Sequence, residues 1–371
     1  MKQGKSLTEL AQEIERQTAM KRDFIADTRT LKMVPVLTHG YEHPDDVCLD
    51  MTTPESESGI RRFKPTALAH KQIAESVKIP VRYYERMKDE APELLARNVN
   101  HWFQEAPEPR MIRTLDNQAR AFLSNRYRRL DNYDLIRSAI LPVLETQGDL
   151  RIESSEITET RLYIKITTPR LTGEVKKGDV VQAGIAISNS EVGYGRLMID
   201  PFINRLICEN GMVARDRSGK DFGLSKYHIG RQLGAGEEAA AELLTDETQE
   251  AIDRAFWLEA RDVMKGLLSM EVFNQVLGDL KAGTENRITG DPVAAVKELA
   301  NRYRLTEQEE SGIRTQLIQH EEQTQYGLLN AITRYSQEVE SYDRATELER
   351  LGGEIITLSP KDWKPIAEAA A

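Results

Sequence analysis

The spacing of apolar residues changes twice along the chain. Over residues 1–109 they recur mostly every three or four positions, which predicts a first helix over residues 5–30 and a mainly helical N-terminal region, with one short strand near Met33–Leu37. Over residues 110–231 alternation at every second position dominates, which indicates strands. Over residues 232–371 the helical spacing returns. The pattern therefore predicts a helical, a strand-rich and a second helical region.

The central region contains the clearest strand signals. Alternation on both sides of Asp116–Asn117 predicts two strands joined by a turn. In residues 161–169, RLYIKITTP, the apolar side chains alternate with Arg161, Tyr163 and Lys165. A strand with this alternation has one buried face and one polar face, and the arginine, tyrosine and lysine would lie on the polar one.

Two further strands and a helix complete the predicted core. Residues 180–208 predict two strands around a turn at Asn189–Gly195, and residues 131–148 predict a helix that is kinked or ended near Pro142. The total is about five strands, and their short turns imply mostly antiparallel pairing. We therefore predict an α+β fold with a central sheet and a packed helix, flanked by N-terminal helices and a larger C-terminal helical region that can share its core.

Capping residues predict where the C-terminal helices begin. Asp291 precedes Pro292, which suits the first position of a helix, and Thr306 with Glu309 forms the pattern of a capping box. A last long helix is predicted from about residue 321 to residue 350, where a glycine pair follows.

Composition indicates a soluble globular protein. Hydrophobic residues make up 40% of the chain and charged residues 30%. No run approaches the roughly 18 apolar residues of a membrane span, and the N-terminal segment lacks the apolar stretch of a signal peptide. Cys48 and Cys208 make no disulfide framework, so we expect a cytoplasmic protein.

The formal charge of -10 is unevenly distributed. Residues 1–109 carry a net charge of -2, residues 110–231 carry +5 and residues 232–371 carry -13. The weakly basic centre permits a polyanion site, although it falls short of the strongly basic footprint of a typical nucleic-acid-binding domain. The acidic C-terminal helices are suited to a protein partner.

No pattern in the sequence predicts catalysis. His39, His43 and Cys48 lie close together in the sequence but lack the spacing of a metal site, so we interpret them as structural. The glycine-rich segment RQLGAGEE, residues 231–238, lacks the Lys-Ser/Thr pair of a phosphate-binding loop. We therefore predict a protein that is not an enzyme and has no metal and no cofactor.

Residues 120–137, RAFLSNRYRRLDNYDLIR, combine five arginines with two tyrosines and one phenylalanine. Guanidinium groups bind phosphates in a bidentate manner, and aromatic rings stack on bases with roughly 1–3 kcal/mol per base. This combination predicts a groove for single-stranded DNA, which the polar face of the predicted strand and the nearby turns would extend. The predicted contact residues are Arg113, Arg120, Phe122, Arg126, Tyr127, Arg128, Arg129, Arg161, Tyr163, Lys165, Lys176, Lys177, Arg196 and Arg205.

A structural interpretation explains the same arginines. Asp131 and Asp134 follow them closely, and an Arg–Asp network that caps the helix beginning near Asp131 would use several of them inside the fold. The sequence leaves both interpretations open. They differ in whether Arg126, Arg128 and Arg129 point outward.

Residues 67–87, ALAHKQIAESVKIPVRYYERM, have the loose spacing of a helix-turn-helix. One interpretation places the second helix, with Arg82 and Arg86, in a DNA major groove. The other is a pair of packed helices with a solvated surface, in which His70 lies at the surface or at the edge of the core.

Several segments share a resemblance to one family, and they occur in that family's order. The segments are residues 67–87, ARNVNHWF, RAFLSNRYRRLDNYDLI, LPVLE, GIAISNSEVGYGRLMIDPFINRLICENGM and TQYGLLNAITRY. Together they resemble domain-of-unknown-function family 932, a family of phage- and plasmid-encoded proteins. Residues 336–350, SQEVESYDRATELER, depart from the histidine-containing end that the family pattern has.

The resemblance implies mobile-element DNA metabolism or the management of a host. A sheet with a basic groove is also similar in outline to the single-strand annealing proteins of phages, which form rings. We therefore expect a non-enzymatic single-stranded DNA-binding protein of a phage or plasmid, acting in annealing or recombination as a homo-oligomer. The alternatives are a protein-interaction or structural protein of a mobile element and a helix-turn-helix regulator.

Overall fold

A computed structural model shows an α+β fold with two sheets, which confirms the predicted fold class. The structure describes residues 2–37, 46–52, 59–207, 210–214, 223–226, 246–320 and 322–370. His39, His43, Cys208 and the glycine-rich segment of residues 231–238 lie outside these residues.

Sheet 1 is built from the N-terminal third of the chain and is mainly antiparallel. Its strand order is β1-β5-β6-β4-β3-β2, and only β4 and β6 pair in parallel among the strands described. The strands are β1 (Arg22–Asp27), β2 (Leu31–Val36), β3 (Asp46–Thr52), β4 (Ile60–Pro65), β5 (Pro109–Leu115) and β6 (Gln118–Ser124). A 3-10 turn, Thr28–Thr30, links β1 to β2.

Sheet 2 is antiparallel throughout the part that the structure describes. Its order is β11-β10-β9-β8-β7, and β12 also pairs with β10. The strands are β7 (Arg151–Ile157), β8 (Leu162–Glu174), β9 (Val180–Asn189), β10 (Leu197–Arg205), β11 (Asn210–Val213) and β12 (Leu224–Lys226).

Helices cover both sheets. The N-terminal helices are α1 (Leu7–Met20), α2 (Ala67–Ser76), α3 (Val81–Glu90) and α4 (Pro92–Glu105). A broken helix follows sheet 1, with α5 (Asn132–Leu135), a π-helical turn (Ile136–Ile140) and α6 (Leu141–Gln147). The C-terminal helices are α7 (Asp246–Leu267), α8 (Met270–Glu285), α9 (Pro292–Tyr303), α10 (Glu307–Gln319), α11 (Gln325–Tyr335), α12 (Tyr342–Ile356) and α13 (Pro360–Ala367).

Four apolar clusters hold the described elements together, one of them among the C-terminal helices themselves. Helices α2, α3 and α4 pack on sheet 1, where Ile73, Tyr84 and Phe103 are buried against its strands. Helices α1, α5, α6 and α7 pack on one face of sheet 2, with Trp257 and Met264 among the buried residues. The other face of sheet 2 meets α8, α11 and α12.

The prediction of a mainly helical N-terminal region with one short strand missed three of its four strands, although helical residues still outnumber strand residues in the part that the structure describes. The first helix ends at Met20, and the chain continues as β1. Strands β1 and β4, RDFIAD and IRRFKP, carry charged residues on both sides of their few apolar ones, so they show no clear alternation. Because β5 and β6 pair with β1 and β4, sheet 1 continues across residue 110. The turn at Asp116–Asn117 is confirmed, with φ of 51° and 61° at its two residues.

The prediction of one long C-terminal helix is wrong. The segment forms α11 and α12, and the side chain of Ser341 accepts a hydrogen bond at the start of the second helix. Gly352 and Gly353 lie inside α12 rather than beyond its end. A Cβ atom at Gly353 would overlap the backbone carbonyl of Val213, so this glycine allows the helix to approach β11.

His70 is buried between α2 and α3 rather than lying at the surface, and its Nδ1 lies 2.9 Å from the Tyr84 hydroxyl oxygen. Burial, and then the charge of Lys88, lower the pKa of His70 from 6.5 to about 4. The unfolded chain binds the proton of His70 more tightly than the folded chain does. The contribution of the neutral, buried His70 to stability is therefore complete above pH 6.5 and is lost as the pH falls toward 4. We expect a loss of up to about 3 kcal/mol across this window.

The His70→Gln variant should lose most of this pH dependence, measured by urea unfolding at several pH values between 4 and 7. The matched control is His101→Gln, because His101 is exposed. If His70→Gln leaves the pH dependence of the free energy of unfolding as it is in the wild type, groups other than His70 cause that dependence.

Candidate nucleic-acid interface

A buried charge network joins the two sheets and contains two of the predicted contact residues. The guanidinium of Arg113 is fully buried and donates to Asp23 on β1 (2.9 Å) and to Asp131 before α5 (2.7 Å). It also donates to the backbone carbonyl of Glu191, in the loop between β9 and β10 (2.9 Å). Arg113 therefore binds three separate parts of the chain.

Glu191 is the second centre of this network. Its carboxylate, 4% exposed, pairs with Arg120 on β6 and with Lys21 (3.4 Å), and it accepts the backbone N–H of Asn132 (2.8 Å). The network thus balances three cations against three carboxylates. Burial would raise the pKa of Asp131, but Arg113 and Lys21 outweigh burial and hold it below its usual range.

The face of β8 that we predicted to be polar and outward is covered. Tyr163 donates to Asp343 (2.7 Å) and packs on the ring of Tyr342, with ring centroids 5.2 Å apart. Lys165 is 1% exposed, and its Nζ lies 2.6 Å from a carboxylate oxygen of Glu349 on α12. Helix α12 therefore occupies the place where a nucleic acid was expected.

Five of the predicted contact residues consequently have structural roles, and we remove them from the candidate surface. Each of these five residues is at most 8% exposed, so almost none of its surface is accessible to a ligand. Phe122 is the fifth, stacked on Phe103 with ring centroids 5.8 Å apart. The five are Arg113, Arg120, Phe122, Tyr163 and Lys165.

Two residues of the arginine-rich turn are half-buried and face neighbouring elements. Arg128 pairs with Asp253 on α7 (2.5 Å), and its guanidinium lies 5.0 Å from the ring centroid of Phe256. The hydroxyl of Tyr127 donates to the backbone carbonyl of Ser190 (2.9 Å). These contacts fasten the turn to α7 and to the β9–β10 loop.

The remaining residues of the turn face solvent beside that loop. Arg126 is exposed, and Arg129 is 51% exposed with its Nε 3.4 Å from Asp23. Arg161, in the turn before β8, lies over the ring of Tyr194 in that loop at 5.0 Å, and Arg196 of the loop is half-buried. Ser190, at the start of this loop, contacts Tyr127 of the turn and Tyr194 of the loop, so the turn and the loop lie side by side. We call Arg126, Arg129, Arg161, Tyr194 and Arg196 the Arg–Tyr surface.

Tyr194 was missing from the predicted contact residues. It is 45% exposed, and its backbone N–H donates to the side chain of Ser190 (3.0 Å). Gly193 has φ of 74°, and a Cβ at Gly195 would overlap the Arg161 guanidinium. A tyrosine between two glycines, in a segment already predicted to be a turn, is the sequence signal that would have identified it.

Sheet 2 separates the other predicted cations from this surface. Arg161 precedes β8 and Arg196 precedes β10, whereas Lys176 follows β8 and Arg205 ends β10. Strands of 13 and 9 residues place the two groups on the order of 30–40 Å apart. The exposed Lys177 lies with Lys176 at the far end. The prediction that these residues extend one surface is therefore wrong.

The helix-turn-helix segment presents a surface of mixed charge. Arg82 and Arg86 are exposed on α3, but so are Glu85, Asp89 and Glu90, and Arg86 pairs with Glu90 (2.9 Å). A recognition helix needs a positive face toward the phosphates. Balanced charge on α3 therefore gives no support to the regulator interpretation.

Within the described ranges, no group of three metal-ligating side chains comes together. Cys48 is a half-buried free thiol on β3. None of the helices that the structure describes has both the length and the apolar composition to cross a membrane.

Comparison with protein families gives one match. The family described as "Domain of unknown function (DUF932)" matches residues 121–352, which is more than half of the chain. The chain therefore belongs to this family. No curated protein and no solved structure matches it.

Proposed function

We propose that this member of the DUF932 family binds single-stranded DNA on its Arg–Tyr surface. The observation that carries the proposal is the exposed ring of Tyr194, with the guanidinium of Arg161 over it at 5.0 Å. An exposed tyrosine can stack on a base, while neighbouring arginines neutralise the adjoining phosphates.

The buried network supports this surface by fixing its two halves. Glu191 and Ser190 belong to the loop that carries Tyr194, and both contact the arginine-rich segment. The two backbone segments that carry the surface residues therefore do not need to be ordered when the strand binds, which reduces the entropic cost of association. The whole chain has a charge of -10, so long-range repulsion opposes binding. The phosphate contacts that favour binding release counterions from the strand, and the affinity should therefore fall as the salt concentration rises.

We extend the proposal to strand annealing or recombination by a phage- or plasmid-encoded homo-oligomer, as the sequence resemblance implies. The Arg–Tyr surface has four arginines and one tyrosine, enough for only a few nucleotides. Continuous coverage of a strand would require several copies side by side, which sedimentation with and without a long oligonucleotide would detect.

Replacing Arg126, Arg161 and Arg196 together by alanine should weaken binding of a labelled single-stranded oligonucleotide by about a hundredfold at 0.1 M salt. Each phosphate contact on a single strand contributes a factor of about five at this salt concentration. Fluorescence anisotropy measures the affinity, and urea unfolding shows whether the variant remains folded.

The matched control replaces three exposed arginines elsewhere, Arg82, Arg97 and Arg287, and makes the same change in net charge. It should retain most of the affinity. Equal losses in both variants would mean that binding follows net charge alone. A greater loss in the control, with a preference for duplex, would favour the helix-turn-helix interpretation.

A further inference from the structure

A polar pocket opens at the end of sheet 2 opposite to the Arg–Tyr surface. It has a volume of about 210 Å³ and lies between the β8–β9 turn, the end of β10, the end of α10 and one face of α11. Among the described residues, its charged lining consists of Lys176, Arg205, Glu322 and Arg334, with His320 beside them. Three cations thus face one carboxylate in this part of the lining.

Two of the cations are held in place by the fold. Arg205 donates to both carboxylate oxygens of Asp179 (2.7 and 2.8 Å), and the hydroxyl of Tyr326 donates to the same carboxylate (2.9 Å). Lys176 pairs with Glu322 (2.7 Å) and lies 5.9 Å from the ring centroid of Tyr326. An anion in the pocket would therefore meet groups that are already oriented.

The imidazole of His320 lines the same pocket. Partial burial, and then the charges of Arg334 and Arg205, lower its pKa. Asn330 and Gln316 add amide groups that can donate hydrogen bonds to oxygen atoms.

We propose that this pocket binds a phosphate group, either free or at the end of a larger molecule. A volume of about 210 Å³ equals about seven waters, which suits a phosphoryl group and is below the 300 Å³ or more of a typical ligand pocket. The guanidinium of Arg334 suits phosphate oxygens, whereas the Nε–Nη2 edge of Arg205 is held by Asp179. Lys176 can transfer from Glu322 to the anion. The proposal does not depend on DNA binding at the Arg–Tyr surface.

Isothermal titration of the full chain with inorganic phosphate tests this directly. The Lys176→Gln variant should bind phosphate about tenfold more weakly than the wild type, because it loses one charge-assisted contact. Lys177→Gln is the matched control, since Lys177 is exposed in the same turn but does not line the pocket. The variant lacking Arg126, Arg161 and Arg196 should bind phosphate normally, which separates this proposal from the first.

A second pair of probes distinguishes the source of the phosphate. A short oligonucleotide with a 5′-phosphate that binds more tightly than its 5′-hydroxyl counterpart, and loses the difference in Lys176→Gln, identifies a phosphorylated strand end. Equal binding of the two oligonucleotides, with phosphate still bound, identifies the free anion. No binding of phosphate by the wild type, or equal losses in Lys176→Gln and Lys177→Gln, would overturn the proposal.

Discussion

Replacing Glu191 by alanine should lower the free energy of unfolding by about 3–5 kcal/mol. The variant leaves Arg120 and Lys21 without this carboxylate in a buried site, and it removes the acceptor of the Asn132 backbone N–H. Uncompensated buried charge is far more costly than the loss of a surface ion pair, which is worth at most about 1 kcal/mol. Urea unfolding monitored by circular dichroism measures the change.

Glu159→Ala is the control for this variant. Glu159 is an exposed glutamate in the turn before β8, so its loss should change stability by no more than about 0.5 kcal/mol. If Glu191→Ala were as mild as the control, the network would contribute little to the fold, and the arginines would be available for another role.

The second large effect is expected at Lys165 and Glu349. Their charged groups are 2% and 0% exposed and connect β8 to α12. Lys165→Met should cost about 3–5 kcal/mol, because it leaves the Glu349 carboxylate buried beside apolar groups. The double variant Lys165→Met, Glu349→Leu should recover most of that loss, since two apolar side chains of similar size need no compensating charge.

A double-mutant cycle by urea unfolding measures this coupling, with Glu349→Leu as the second single variant. Strong recovery in the double variant indicates a pair whose members mainly compensate each other. Losses that simply add would contradict a direct interaction. Lys176→Met is a suitable comparison, because Lys176 pairs with Glu322 at an exposed position and its loss should cost less than about 1 kcal/mol.

Local signals predicted the starts of two C-terminal helices and the strands β8, β9 and β10 of sheet 2, but not β7, β11 or β12. Asp291 and Thr306 cap helices as expected, and the Thr306–Glu309 capping box is present. These features depend on residues within four positions of one another. Of sheet 1, β2, β5 and β6 were predicted and β1, β3 and β4 were missed. Its order places β6 beside β4 and β1 beside β5, and these pairings join distant parts of the chain.

The orientation of the arginines could not be predicted from the sequence either, because their partners also lie far away along the chain. The carboxylate partner of Arg113 on β1, Asp23, lies 90 residues away along the chain, and the partner of Arg120, Glu191, lies 71 residues away. Of the nearby acids, Asp131 does join the network, whereas Asp134 is exposed. The structural interpretation therefore holds for Arg113 and Arg120, whereas Arg126 and Arg129 are exposed at the surface.

The polar pocket at the far end of sheet 2 could not be predicted from the sequence either. Lys176 and Arg205 were predicted as cations of a nucleic-acid surface, but nothing in their sequence neighbourhood indicates that α11 would bring Asn330 and Arg334 beside them. The pocket exists only because the C-terminal helices pack against the far end of sheet 2.

Salt dependence of single-stranded DNA binding tests the central claim most directly. Titration of the wild-type protein with a labelled oligonucleotide, from about 50 to 200 mM salt, should give a slope of log affinity against log salt near -3, the value for about four phosphate contacts. This slope corresponds to roughly a fiftyfold loss of affinity across the range. Absence of binding at about 50 mM salt would contradict a single-stranded DNA site on the Arg–Tyr surface.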